Sequence, residues 1–277
     1  MTDIGLALSG GGAKGLAHVL MLEALDEVGV RPCKIAGTSI GAVIGVMYAA
    51  GMKGFEIRKL ILRQMPNGDD SLRDVWRNKE LRRWLDYINF EFKHGAVFKA
   101  DQFVADLLRE LSVSRFEELD IPLKVVATDF WQRRQVVLDE GELMPAVHAS
   151  MALPGIFKPV VRDKQVLMDG SAVNPVPYDL LQQDCAKVIA IDVMGTRTES
   201  EELVPSFTDA IFNTFQIMQK TIVEQKLKVH APDIYITPDI VDIRALEFYR
   251  AEEIFAQAQP AKETLKRKLD QLLKGRG

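Results

Sequence analysis

The sequence predicts an α/β protein whose mostly parallel central sheet is sandwiched by helices. Three observations point there. Short apolar runs alternate with helical patterns, the signature of strands that return in parallel through crossover helices. Two glycine-bracketed turns, Gly10-Gly11-Gly12-Ala13-Lys14-Gly15 and Gly37-Thr38-Ser39-Ile40-Gly41, each fall between a strand and a helix. The 277 residues, 47% hydrophobic and 27% charged, suit one globular domain with a substantial core.

The elements follow in order. Residues 4–8 form a short buried strand, and 16–28 a helix with Leu16, Val19, Leu20, Leu22 and Leu25 near one face. Residues 33–36 read as a second strand and 40–50 as an apolar helix. Residues 66–115 break the pattern: they are helical and charged, with Trp76, Trp84, Tyr87, Phe90 and Phe92 interleaved with Arg73, Arg77, Arg82 and Arg83. This stretch is expected to be a cap over a site. Its aromatics read as packing inward, with docking on a bilayer as the other reading. Further strands are expected at 123–128 and 187–191, and a hairpin at 160–168 turning at Arg162-Asp163-Lys164. A helical extension covers 205–277, with a strand at 232–236, a helical tail from Ile243 and a basic end at Lys266, Arg267 and Lys268. Its helix near Phe207, Ile211, Phe215 and Met218 reads as core or as a contact between subunits. No linker divides the chain, so one domain over 1–277 is expected, with its core motifs within 4–195.

Composition removes several function classes. Lys and Arg total 35 against 39 Asp and Glu, a net charge of -4, which argues against a nucleic-acid partner. Cys33 and Cys185 form no C-x-x-C pair, which weighs against a disulfide scaffold or a cysteine zinc site, and no metal or cofactor is expected. The N-terminus has Asp3 where a signal peptide wants basic residues, and its apolar stretch is broken by glycines and Lys14. The run 40–52 falls short of the roughly 18 to 20 residues that span a bilayer. The expected location is cytoplasmic, with peripheral contact at the inner face of a membrane.

The first turn satisfies G-x-G-x-x-G through Gly10, Gly12 and Gly15, the fingerprint of NAD(P)-binding oxidoreductases. That reading also wants a carboxylate at the end of the second strand, where the sequence has Ile35-Ala36-Gly37-Thr38-Ser39. The P-loop pattern is not matched either. The second turn is G-x-S-x-G, whose serine sits on a sharp strand-to-helix turn and projects from the sheet edge. Adjacent strands would set the glycine loop beside Ser39. Its N–H groups then suit an oxyanion hole, and the pair reads as acyl-transfer chemistry.

A serine nucleophile needs a base. The four histidines are poor choices. His230 follows Asp169 or Asp192 in the right order for an α/β-hydrolase, but it precedes a strand and so belongs at the opposite sheet edge. His18 reads as a packed helix residue, and His94 and His148 have no identifiable partner. Three carboxylates end strands or hairpins near the right edge: Asp129, Asp169 and Asp192. The Asp169-Gly170 turn favours Asp169 by a small margin over Asp129, and spacing alone leaves the choice open.

Gly10–Gly15, Gly37-Thr38-Ser39-Ile40-Gly41, Ala127-Thr128-Asp129, Ala149 to Phe157, Asp169-Gly170-Ser171 and Asn174-Pro175 together resemble the patatin-like phospholipase family. The ending, from Ala231-Pro232-Asp233-Ile234 through Phe248 and Ala251-Glu252-Glu253, is similar to its bacterial single-domain members related to neuropathy target esterase. The resemblance implies a patatin-like three-layer fold and a Ser39/Asp169 dyad without histidine. It implies an oxyanion hole from Gly10, Gly11 and Gly12, supported by Lys14, Gly15, Gly37, Gly41 and Gly170. The implied activity is cleavage of lipid acyl esters (phospholipid, lysophospholipid or related) through an acyl-serine intermediate, without metal. The third motif departs from the usual Asp-Gly-Gly or Asp-Gly-Ala, and the Ser171 hydroxyl is expected to reach Asp169. Two other readings stay open from sequence: the oxidoreductase, and a non-catalytic lipid-binding regulator on the same scaffold. Oligomeric state is left open.

Overall fold

The computed structural model describes residues 3–64, 106, 108–195 and 207–274. Eight strands form one sheet: β1 (Ile4–Leu8), β2 (Lys34–Thr38), β3 (Leu123–Asp129), β4 (Arg134–Leu138), β5 (Val160–Arg162), β6 (Gln165–Asp169), β7 (Lys187–Ile191) and β8 (Ile234–Ile236). The order is β5-β6-β3-β2-β1-β7-β8, with β4 also on β3. β3, β2, β1, β7 and β8 run parallel, and β4, β5 and β6 add antiparallel pairs. The predicted mostly parallel sheet is present.

One detail of register builds the site. β4 occupies one edge of β3 from Val125 to Asp129. β2 pairs with β3 up to Thr38↔Val126, and β6 pairs with it from Ala127↔Asp169. A strand has two edges, so β2 and β6 share the edge opposite β4. They approach from opposite directions and meet end to end. Ser39, one residue past Thr38, therefore faces Asp169 across the gap between two strand ends.

Strand alternation divides the interior into two cores, because successive side chains point to opposite faces. Ile4, Leu6, Leu8, Ile35, Ile189 and Ile191 enter a large core. Ala7, Ala36, Val188 and Ala190 enter a smaller one with Val176, Tyr178 and Val223. Helices α1 (His18–Val28), α2 (Ile40–Ala49), α3 (Gly54–Gln64), α4 (Leu143–Met151) and α6 (Ala251–Lys274) contribute to the large core, while α5 (Phe207–Val229) supplies Val223 to the small one. α2 is buried along its whole length, as its all-apolar sequence requires.

Several expectations need correcting. Residues 12–17 form a 3₁₀ segment, and the α-helix starts at His18 rather than Leu16. The second strand runs to Thr38. The final helix starts at Ala251, after a 3₁₀ turn at Phe248–Arg250, rather than near Ile243. β4, α3 and α4 went unassigned in the sequence. The aromatic and arginine run 73–92 lies outside the described residues, so the expected cap is neither placed nor removed. Among the described residues, no helix is long and apolar enough to cross a membrane. Cys33 and Cys185, distant in sequence, are neighbouring free thiols with sulfurs 3.3 Å apart.

Candidate active site

Ser39 sits at the junction of β2 and α2 with φ 54° and ψ -126°. That is a strained conformation for a residue with a Cβ, held because the turn must be sharp. Its backbone N–H donates to Ser150 Oγ on α4 at 2.8 Å. Its hydroxyl donates to Asp169 Oδ2 at 2.7 Å. The side chain is nearly enclosed, with 9% of the residue exposed.

Asp169 is fixed on all sides. Its N–H donates to the Ala152 carbonyl at 3.1 Å, and its own carbonyl accepts from Thr128 Oγ1 at 2.8 Å. The Ser171 N–H donates to Oδ1 at 2.8 Å, leaving Oδ2 for Ser39. Burial raises its pKa above the ordinary aspartate value; the Ser171 N–H, the Ser39 hydroxyl and the Ser171 hydroxyl pull it down without cancelling that rise. The Ser171 hydroxyl is the smallest of these influences, and the firm contact of Ser171 with Asp169 is its backbone N–H. A carboxylate of raised basicity, hydrogen-bonded to a serine hydroxyl, has the geometry of a general base.

The glycine loop lies at the end of β1, beside this pair. An added Cβ on Gly10 would stand 3.5 Å from Ser39 Cβ and 2.2 Å from Ser171 Oγ, so only glycine lets the three motifs converge. Gly11 and Gly12 have φ of 156° and 57°. The Gly10 N–H donates to the Pro175 carbonyl at 3.0 Å, whereas those of Gly11 and Gly12 have no acceptor among the described residues. Lys14 is buried and holds the loop from behind by donating to the Met194 carbonyl at 2.7 Å. Gly41 lets α2 cross the end of β1, where a Cβ would meet Leu8 O at 2.4 Å. Gly15, Gly37 and Gly170 occupy similarly close crossings against Ile40, Ala42 and Val126.

The other sequence candidates take structural places. His18 is fully buried, its Nε2 is 2.9 Å from the Ser9 carbonyl, and desolvation lowers its pKa to about 4. It is a packed residue, as expected. His230 is exposed and precedes β8, which runs parallel to β2, so it lies at the sheet edge away from Ser39. Asp129 caps its own hairpin through the N–H groups of Trp131 and Gln132 at 3.1 and 3.0 Å. Asp192 accepts from the Met194 N–H and from the Tyr235 hydroxyl. Among the described residues, Asp3, Cys33 and Cys185 bring possible metal-ligand atoms within 4.8 Å of one another. That group lies at the start of β2, the end away from Ser39.

Three contributors had no role assigned from the sequence, although Ser150 and Asn174-Pro175 stand within the stretches that carry the family resemblance. Ser150 accepts the Ser39 N–H. The carbonyls of Asn174 and Pro175 bind Thr38 Oγ1 at 2.9 Å and the Gly10 N–H, so one short segment ties both turns to the Asp169 turn. α5 forms a wall of the pocket over Ser39. This pocket, about 950 Å³ with the adjoining open solvent included, reaches from Gly11, Gly12 and Ser39 to Phe212, Phe215 and Leu246. Met151, Phe157 and Phe248 also line it, so its surface is largely apolar. The core packing expected of Ile211, Phe215 and Met218 on α5 is not found: Phe215 is half-buried and lines the pocket, and Ile211 and Met218 are 53% and 52% exposed and belong to no core. Lys226 pins this helix by donating to Asn174 Oδ1 at 2.6 Å and to the Val176 carbonyl at 2.8 Å, and by pairing with Asp179.

The chain is similar to several known proteins. The family model described as Patatin-like phospholipase matches residues 6–181. A patatin-like phospholipase domain-containing protein of Caenorhabditis elegans is 34% identical over 196 residues, 69% of this chain and 13% of that one. An uncharacterized NTE family protein of Mycobacterium bovis is 33% identical over 175 residues, 63% of this chain and 44% of that one. The chain therefore spans less than half the length of these relatives. Among solved structures, VipD from Legionella pneumophila aligns over 95% of this chain and 67% of its own, at 13% identity and a TM-score of 0.49.

Proposed function

Because the chain belongs to the patatin-like phospholipase family, we propose that it is a serine acyl hydrolase for the carboxylic esters of lipids, working through Ser39 and Asp169. The observation that carries this reading is the 2.7 Å hydrogen bond from Ser39 Oγ to Asp169 Oδ2. In the first step Oγ attacks the ester carbonyl while Asp169 takes its proton. The oxygen that becomes negative is met by the Gly11 and Gly12 N–H groups; Gly10, whose N–H is engaged by Pro175, serves by close approach. Asp169 then returns the proton to the departing alcohol, leaving an acyl-serine. A water that gives its proton to Asp169 attacks the acyl-serine; Asp169 passes that proton to Ser39 Oγ as the C–Oγ bond breaks, and the fatty acid leaves. The apolar pocket, with Phe212, Phe215 and Leu246, suits the acyl chain.

No observation favours the dinucleotide reading. Gly12 lies against the Ala245 backbone, where a Cβ would come within 2.4 Å of the carbonyl oxygen, and the ribose-binding carboxylate is missing. A non-catalytic lipid binder would have no use for a buried carboxylate bonded to a strained serine. Hydrolysis of a panel of phospholipids, lysophospholipids and p-nitrophenyl esters by wild type and Ser39→Ala tests the proposal. Products identified by mass spectrometry, with labelling by a fluorophosphonate probe, should be lost together in the variant. Equal rates in the two proteins would overturn it.

A further inference from the structure

Two features at the catalytic end of the sheet have no part in the site above. The turn joining β3 to β4 exposes Phe130 and Trp131, 46% and 74% accessible, with rings edge to face at 4.8 Å. Both would be costly to leave in water without purpose, and Trp is the side chain best suited to a water–lipid boundary. The turn is held rigid: Asp129 Oδ1 accepts two of its N–H groups, and the Phe130 N–H donates to the Val166 carbonyl on β6 at 2.8 Å. Next to it, the β5–β6 hairpin turns at Asp163 and Lys164, both at positive φ, and β5 exposes Val161 at 73%.

The direction of these two tips follows from register. Ser39 lies at the level of Ala127 on β3. Phe130 and Trp131 are three and four residues further along, about 10 Å beyond it at the rise of a strand. Val166, which pairs with Val161, is bonded to Phe130, so the hairpin tip projects in the same direction. Over residues 130–134 and 162–164 the charged side chains are Arg133, Arg134, Arg162 and Lys164 against Asp163. The chain as a whole carries -4, so a local basic and aromatic spot is a departure from its average.

We propose that these tips are the membrane-docking element of the protein, and that its partner is the surface of a bilayer containing anionic phospholipid. Trp131 and Phe130 enter the headgroup–acyl boundary while Arg133, Arg134 and Lys164 meet phosphate groups. An acidic protein is repelled by such a surface in most orientations. The basic spot selects the orientation that turns the sheet end bearing Ser39 to the lipid. The inference deepens the lipid-ester reading and rests on it for its purpose, although docking itself needs no chemistry.

Flotation with vesicles of phosphatidylcholine plus phosphatidylglycerol, and of phosphatidylcholine alone, tests the proposal. Wild type and Ser39→Ala should float equally with the anionic vesicles and poorly with the neutral ones. Arg133→Gln and Arg134→Gln should each weaken binding about fivefold, the effect of one basic residue at an anionic surface. Trp131→Ser should weaken it about tenfold, and brominated lipid should quench less fluorescence in Trp131→Phe than in wild type. Hydrolysis of dissolved p-nitrophenyl butyrate should stay at the wild-type rate in all four turn variants, which also shows that they fold. Wild type that does not float, variants that float like wild type, or binding indifferent to phosphatidylglycerol would overturn the proposal. A wild type that floats through Trp131 yet hydrolyses no ester would sink the catalytic reading and leave the docking element standing.

Discussion

Replacing Asp169 by asparagine should change activity and stability in different directions. The carboxylate is 2% exposed, and it accepts hydrogen bonds from the Ser39 hydroxyl and the Ser171 N–H rather than from a cation. Burial dominates and raises its pKa above 3.8. A carboxyl group that holds its proton more tightly when folded makes the folded state bind more protons than the unfolded chain. Stability therefore falls as pH rises from about 3.8 through the raised folded value, and the full penalty persists at neutral pH. Each tenfold displacement of that proton equilibrium costs about 1.4 kcal/mol. Asparagine can turn Oδ1 to the Ser171 N–H and Nδ2 to Ser39 Oγ, keeping both contacts while removing the charge. The variant should unfold at equal or higher urea concentration than wild type at pH 7, and its advantage should vanish as pH is lowered past the Asp169 pKa. Loss of a general base should cut kcat/KM by about 10²–10⁴-fold, a barrier increase of about 3–5 kcal/mol. In wild type, the acid limb of kcat/KM should lie above pH 3.8, the range in which Asp169 becomes a carboxylate. Urea titrations across the acid range and rates on p-nitrophenyl butyrate read both effects. A variant less stable than wild type by more than about 1 kcal/mol at pH 7, or one within tenfold of its rate, would refute the reasoning.

Other substitutions probe the supports of the site. Ser150→Ala removes the acceptor of the Ser39 N–H, and an unsatisfied buried donor costs about 1–3 kcal/mol; thermal unfolding and a lower kcat on dissolved ester should both register it. Gly12→Ala puts a Cβ 2.4 Å from Ala245 O at a φ of 57°. It should cost about 1–2 kcal/mol in backbone strain alone and, by shifting the loop about 1 Å, about 10²-fold in kcat; stopped assays at saturating substrate separate this from binding. Lys226→Met leaves the buried Asn174 Oδ1 and the Val176 carbonyl without their donor and loosens α5, at about 1–3 kcal/mol in urea unfolding. Its KM for long-chain esters should rise more than for short ones, because Phe212 and Phe215 ride on that helix.

The sequence displayed what is local and hid what is assembled. β1, β7 and the β5–β6 hairpin were readable because apolar runs stand between turn residues, and Ser39 because its glycines bracket it. Asp169 was one of three carboxylates until the family motifs singled it out. Residues 12–17 look like the first turn of a helix. They become 3₁₀ where Ala13 N–H is drawn to Ala245 O and Lys14 to Met194 O, both supplied from far along the chain. The Asn174 and Pro175 carbonyls brace both turns, and a carbonyl leaves no trace in residue identity. α5 carries apolar residues on more than one face, so its phase was undecidable until Lys226 fixed which face meets the pocket. Cys33 and Cys185 looked unrelated because sequence distance says little about strand neighbours.

The end-to-end meeting of β2 and β6 has a consequence for the life of the chain before it is folded. Ser39 and Asp169 are 130 residues apart, and closing a loop of that length costs about 4 kcal/mol in chain entropy. Local contacts cannot assemble the dyad; it waits until β3 has formed and β6 has docked in line with β2. A nascent or partly unfolded chain thus displays the nucleophile without its base. Under the proposed function, reactivity toward membrane lipid switches on together with completion of the sheet, and ester hydrolysis becomes a late reporter of folding.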